Sequence, residues 1–158
     1  MQNNDVIRSL RYTFDFGDDQ MIKIFGLAEL EVTRTEVSDW LKRDDDPESK
    51  PINDFKLAVF LNGLIIYKRG KKEGPQPVPE SRLSNNQIIR KIKIALELQN
   101  EDIMEILALA GREMSKHEIS AFFRKPEQAQ YRLCRDQVLR NFLQGLQLKF
   151  REQQNKKD

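Results

Sequence analysis

The sequence predicts an all-α protein: a tandem repeat of two four-helix units joined by a proline-rich linker. Three observations carry that expectation. Residues 3–69 return as residues 85–151 at a constant offset of 82 and without a gap, with about one aligned position in four identical. Apolar residues recur at helical spacing in both copies, and no alternating strand pattern competes. Hydrophobic residues make up 39% of the chain and charged residues 33%, a mix suited to short amphipathic helices with wide solvated faces. The expected division is a first repeat over 1–71, a linker over 72–84, a second repeat over 85–153 and a polar tail over 154–158.

The first helix of each copy carries Val6, Ile7, Leu10 and Phe14, answered by Ile88, Ile89, Ile92 and Leu96. Asn4 and Asn86 stand where an N-cap belongs, because a short side-chain oxygen can accept an orphan backbone N–H. Ser84 with Gln87 offers a rival capping box in the second copy, so the shared asparagine is the preferred device. The second helix opens at Asp18 or Asn100, with Asp19, Glu101 and Asp102 where the helix dipole favours negative charge. Its stripe is Met21, Ile24, Phe25 and Ala28, then Ile103, Ile106, Leu107 and Ala110. Gly111 suits a left-handed stop, whereas Glu29 at the same place predicts a weaker one.

Thr33 with Glu36 and Ser115 with Glu118 are capping boxes that open the third helix. Val32 with Val37, and Met114 with Ile119, add hydrophobic staples. The stripe continues as Val37, Trp40 and Leu41, and as Ile119, Phe122 and Phe123. A loop follows, DDDPESKP in one copy and KPEQAQYRL in the other. The fourth helix can take Asp54 or Asp136 as its N-cap and buries Leu57, Phe60, Leu61 and Leu64, then Leu139, Phe142, Leu143 and Leu146. Gly63 and Gly145 lie inside it, where glycine costs ~1 kcal/mol against alanine. Repeating that cost at one place predicts a second helix crossing close to the backbone there. Pro75, Pro77 and Pro79 make the linker a semi-rigid extended spacer.

Composition narrows the function classes. The apolar runs are too short to span a bilayer, and the opening MQNNDVIR carries an acid and no apolar stretch of a secretory signal. A single cysteine, Cys134, excludes an internal disulfide and fits a reducing compartment. A cytoplasmic protein is expected. The net charge of +2 hides an asymmetry. Residues 3–71 hold 11 basic and 13 acidic side chains, and residues 85–153 hold 12 and 9. The second copy is therefore the better partner for a polyanion.

The motifs NNDVIR, WLKRDDDP, FLNGLIIYKRGK, NNQIIRKIKIALEL, SKHEISAFFRKP and NFLQGLQLKFR extend over nearly the whole chain. Together they resemble an uncharacterised bacterial family, the YehS-like proteins built on domain of unknown function 1456. The resemblance implies the tandem architecture and brings no activity with it. It also implies a Tyr-x-x-Cys-x-Asp pattern before the last helix of each copy. Tyr131, Cys134 and Asp136 supply it in the second, while the first has Ser49, Ile52 and Asp54.

Residues for catalysis are scarce. His117, at the second position of its helix, is the only imidazole, and one His with one Cys cannot build a zinc site without several carboxylates. No metal, nucleotide or dinucleotide motif occurs. We expect no enzyme, no metal and no cofactor. Asp44, Asp45 and Asp46 lack the spacing of a calcium loop and read as a solvated acidic turn. Arg132 and Arg135 flank Cys134 and could lower its pKa, against the preferred reading of a half-buried structural thiol. A helix-turn-helix over the second and third helices fails at Val32 and Ser38, and again at Met114 and Ser120, where glycine and an apolar residue belong.

Two binding classes remain. One is nucleic-acid association through Arg90, Lys91, Lys93, Lys116, Arg124, Lys125, Arg132 and Arg135, with Arg140 nearby. Asp39 and Asp44 to Asp46 occupy the corresponding region of the first copy and would repel such a ligand. The other is a helical module that grips a protein partner or pairs into a dimer. A structural set shared by the copies is Asn4, Arg8 and Asp54, with Asn86, Arg90 and Asp136. Each arginine is expected to pair with an acid of its own unit, the favoured partner being the aspartate that opens the fourth helix.

Overall fold

The computed structural model describes residues 1–152. The polar tail expected at 154–158 lies outside them. The regular structure is helical throughout, with no strand among the described residues. Four helices, α1 (Asn3–Phe14), α2 (Asp18–Leu27), α3 (Arg34–Leu41) and α4 (Asp54–Arg69), fall in one compact unit, Met1–Leu83. Their counterparts, α5 (Asn85–Ala95), α6 (Asn100–Leu109), α7 (Lys116–Ala121) and α8 (Asp136–Leu146), fall in a second, Ser84–Asp158. A π-helical stretch, Gln147–Glu152, follows α8.

Within the first unit α4 packs on α2, α3 on α2, and α1 on α3 and α4; in the second, α8 packs on α6, α7 on α6, and α5 on α8. The first core gathers Ile7, Leu10, Ile24, Phe25, Phe60 and Leu64, all fully buried. The Phe25 ring lies 5.2 Å from Phe60 and 5.5 Å from Trp40, within the range where aromatic pairs add to simple burial. Ile89, Ile92, Ile106, Phe122 and Phe142 do the same in the second unit. The expected stripes hold except at their ends. Phe14, Leu96, Leu41 and Phe123 are half-buried, and Ala28 and Ala110 cap α2 and α6.

Five helix ends differ from expectation. Helices α1 and α5 begin two residues early, with Gln2 and Ser84 as N-caps. In α5 the rival box is the real one: Ser84 Oγ accepts from Gln87 N at 3.1 Å, and Gln87 Oε1 accepts from Ser84 N at 2.8 Å. Helices α4 and α8 also start one residue earlier, with Asn53 and Arg135 at the N-cap. Glu29 makes as firm a stop as Gly111. Its φ is 68° against 81° for the glycine, and Leu30 N donates to Phe25 O at 3.0–3.1 Å in the manner of Arg112 N to Leu107 O. Glutamate tolerates that conformation at a cost of roughly 1–2 kcal/mol. The capping boxes of α3 and α7 form as expected.

The two interior glycines mark close helix crossings, as expected. A methyl group on Gly63 would collide with the backbone carbonyl of Ile24, and one on Gly145 with that of Ile106. A backbone obstacle cannot move aside as a flexible side chain would. Gly26, in α2, has open space around it. Alanine at Gly63 or Gly145 is therefore expected to destabilise its unit by about 1–3 kcal/mol. Alanine at Gly26 should stabilise by up to about 1 kcal/mol. Urea unfolding of the three variants checks the reversal of sign, and equal effects would show that the crossings can relax.

Candidate anion-binding cleft

Asn4 and Asn86 are not helix caps. Each is the second residue of its first helix, buried, with its whole amide spent on the backbone of its own unit. Asn86 Nδ2 donates to Phe122 O at 3.1 Å and Arg132 O at 2.8 Å, while Oδ1 accepts from Cys134 N at 2.9 Å. Asn4 does the same with Trp40 O (2.9 Å), Lys50 O (2.8 Å) and Ile52 N (3.2 Å). The end of the third helix and both ends of the following loop are thereby pinned to the first helix.

The neighbouring asparagines, which sequence reasoning passed over, hold the start of the fourth helix. Asn3 Nδ2 donates to Asp54 Oδ1 at 2.7 Å, and Asn85 Nδ2 to Asp136 Oδ1 at 2.7 Å. The Asn85 bond holds the Asp136 carboxyl below its ordinary pKa, with Arg140 helping. That stabilisation is present above the ordinary carboxylate range and fades as pH falls through the lowered value. Asp54 Oδ2 also accepts from Leu83 N at 2.9 Å.

The favoured arginine–aspartate pairs do not form: Arg8 takes other acids of its own unit, and Arg90 takes a carbonyl. Arg8 turns the other way: Nη1 donates to Lys42 O at 2.5 Å, and Nη2 lies 2.7 Å from Asp5 Oδ1 and 3.3 Å from Asp44 Oδ1. Arg90 donates from Nη2 to Phe123 O at 2.8 Å. The reason is reach. The short asparagine occupies the aspartate, and the long arginine finds the carbonyls at the end of the third helix.

Around Arg90 the second unit opens a cleft of about 290 Å³, lined by Gln87 and Arg90 of α5 and by Phe122, Arg124, Pro126 and Tyr131 beyond α7. Arg124 Nε is buried there and has no acceptor among the described residues. Lys93 Nζ stands 5.0 Å from the centre of the Phe123 ring, and Lys125 is exposed. Arg90, Lys93, Arg124 and Lys125 thus gather at one end of α7.

The other expected phosphate contacts are dispersed or engaged. Lys116 pairs with Glu101 at 2.6 Å, and this ion pair, with Lys116 as the leading cause, holds the Glu101 carboxyl below its ordinary pKa. The same clasp joins Arg34 to Asp19 in the first unit. Arg132 pairs with Glu118 at 2.8 Å. Arg135 is exposed as the N-cap of α8, and Lys91 is half-buried on α5. The acidic turn of the first unit is also engaged: Asp44 with Arg8, Asp45 with Arg43 at 3.6 Å, and Asp46 Oδ1 accepting from Glu48 N at 2.8 Å. His117 is exposed. Among the described residues no three His, Cys, Asp or Glu side chains gather as a metal site would require, and no helix is long and apolar enough to cross a membrane.

Residues 3–70 match a family described as a protein of unknown function (DUF1456), and residues 85–152 match it a second time. The chain belongs to that family. It is 39% identical over 147 residues to an uncharacterised protein, YehS, of Escherichia coli strain K12, covering 92% of this chain and 94% of that protein. No solved structure matches the chain significantly.

In the second DUF1456 repeat Cys134 corrects the idea of a thiol activated by flanking arginines. It is buried, and burial, with Asp136 adding, pushes its pKa up to about 12. Arg132 and Arg135 on either side are exposed. The thiol is therefore neutral near pH 8, and a thiol reagent should label it only as fast as the unit unfolds. Rapid labelling of the folded protein would contradict this burial. Asn86→Ala would leave two buried carbonyls and one N–H without partners. It should cost about 3 kcal/mol or more, read as a lowered urea midpoint; a loss below about 1 kcal/mol would mean that water replaces the amide.

Proposed function

We propose that this chain is a non-catalytic, cytoplasmic binding protein whose second repeat engages nucleic-acid phosphates, with the first repeat as scaffold. The observation that supports the reading is the gathering of Arg90, Lys93, Arg124 and Lys125 at the end of α7. Among the described residues none of the four forms an ion pair with an acid. Phosphate contacts need cations that are not already neutralised, arranged on one face. Four is a smaller footprint than the eight residues the sequence suggested, since Lys116 and Arg132 already have carboxylate partners. Contacts of this kind track the backbone and carry no base sequence.

Anisotropy titration of the full chain with labelled single- and double-stranded oligonucleotides tests the reading. With four phosphates neutralised, duplex affinity should fall roughly a hundredfold between about 50 and 200 mM salt. Charge reversal at Lys93 and Lys125 together should abolish binding, whereas Lys116→Ala should change it less than about twofold, its charge being engaged already. Absence of binding at the lower salt, or indifference to the double reversal, would overturn the reading.

A protein-binding module is the second reading. Tyr12 and Ile94, at the same place in the two repeats, are 41% and 37% exposed. An apolar contact through them would hold or tighten as salt rises, the opposite of phosphate binding.

A further inference from the structure

The two repeats hold cations at the same places beside the end of the third helix, in different electrostatic company. In the first, the arginine on the first helix is neutralised from within: Asp5 lies 2.7 Å from Arg8 and Asp44 lies 3.3 Å from it. The nearby Lys42 pairs with Asp39 at 2.8 Å. Moving 82 positions along, both cations persist, as Arg90 and Arg124. All three carboxylates are gone, replaced by Gln87, Pro126 and Ala121. Gln87 and Pro126, which stand where acids face Arg8, line the cleft. The second repeat has kept the cations and left a space for the anion.

We propose that this cleft seats one dianionic phosphate monoester, the terminal phosphate of a nucleic-acid strand, between Arg90 and Arg124; the strand as its source rests on the function proposed above. The charge fits. Two carboxylates serve Arg8, and a phosphate monoester carries roughly −1.5 to −2 at neutral pH, unlike the single charge of an internal diester. The donors fit as well, since guanidinium groups match phosphate oxygens in a planar fork. The buried N–H at Arg124 Nε lacks an acceptor, and a ligand oxygen would supply one as the side chain turns toward it. Phe122 and Pro126 keep the wall apolar, which strengthens a charge pair, and Tyr131 brings an aromatic ring to the lining where the first repeat has the shorter Ser49. The volume, near the lower limit of ligand pockets, suits one group of a larger ligand.

The repeat also supplies the test. Gln87→Asp restores the acid that faces Arg8 in the first copy and removes no cation. Asp5 shows that the position accepts it, because its carboxylate also accepts from Gln2 N at 2.8 Å. A 3′-labelled single strand bearing a 5′-phosphate is titrated against the full chain beside the same strand ending in a hydroxyl. The phosphorylated strand should bind at least about tenfold tighter, and inorganic phosphate should erase the difference. Gln87→Asp and Arg124→Gln, checked as folded by thermal melting, should bind both strands equally and weakly. Equal binding of the two strands to the native protein, or a preference that survives Gln87→Asp, overturns the monoester site and leaves general phosphate binding standing. If neither strand binds while inorganic phosphate still binds the native protein and not Gln87→Asp, the cleft is a phosphate site and the nucleic-acid source is overturned. If inorganic phosphate fails too, both fall.

Discussion

Each unit depends on one buried asparagine amide. Asn4 and Asn86 each spend two donors and one acceptor on three backbone groups that the helices leave unpaired. A loop that runs across a core must satisfy its backbone somewhere, and here one side chain does so at both ends of the loop. The consequence is freedom in between. With its ends held, the loop can be RDDDPESK in one copy and KPEQAQYR in the other without altering the packing beneath it. The acidic turn and the basic cleft are alternative fillings of one frame.

Helix crossings set the frame's depth. Glycine at positions 63 and 145 lets the fourth helix touch the backbone of the second, and this brings Phe60 and Phe142 into the core. Capping is less uniform, because several solutions serve one helix start. Asp5 reaches back to Gln2 N, while Ser84 and Gln87 cap reciprocally. Replacing Asp5 by Gln87 thus keeps the cap and removes a negative charge, so capping permits a change that the cleft then exploits.

The fold class, the order of helices, the capping boxes of α3 and α7 and the meaning of Gly63 and Gly145 were legible in the sequence, because each rests on a local pattern seen twice. Asn4 was misread because a cap and a clamp stand two residues apart, and only tertiary geometry says where the carbonyls are. Arg8 and Arg90 were misplaced for a related reason. Their common spacing from Asp54 and Asp136 said nothing of Asn3 and Asn85, which reach those acids first. The charges around the cleft were legible and their engagement was not. Lys116 could have been set aside: Arg34 with Asp19 and Lys116 with Glu101 are opposite charges at matched places in both copies, a sign of a clasp within the unit. The loss of Asp5, Asp39 and Asp44 between copies was also visible in the sequence, but that they surround one arginine and one lysine required coordinates.

Losing Asp5 and Asp44 costs the second unit little stability. Asp44 is 60% exposed and Asp5 38% in the first unit, and ion pairs so open to solvent contribute little, since water screens them and the long side chains lose freedom on pairing. The elements that hold the units together are elsewhere, in the asparagine clamps, the glycine crossings and the aromatic cores, and all of these have counterparts in both copies. A cation whose internal partner is removed keeps its position as long as the backbone that carries it stays fixed. Arg90 remains anchored by its bond to Phe123 O, and Phe123 in turn stacks beneath Lys93. The fold can therefore exchange an internal carboxylate for an external oxyanion without rebuilding its core.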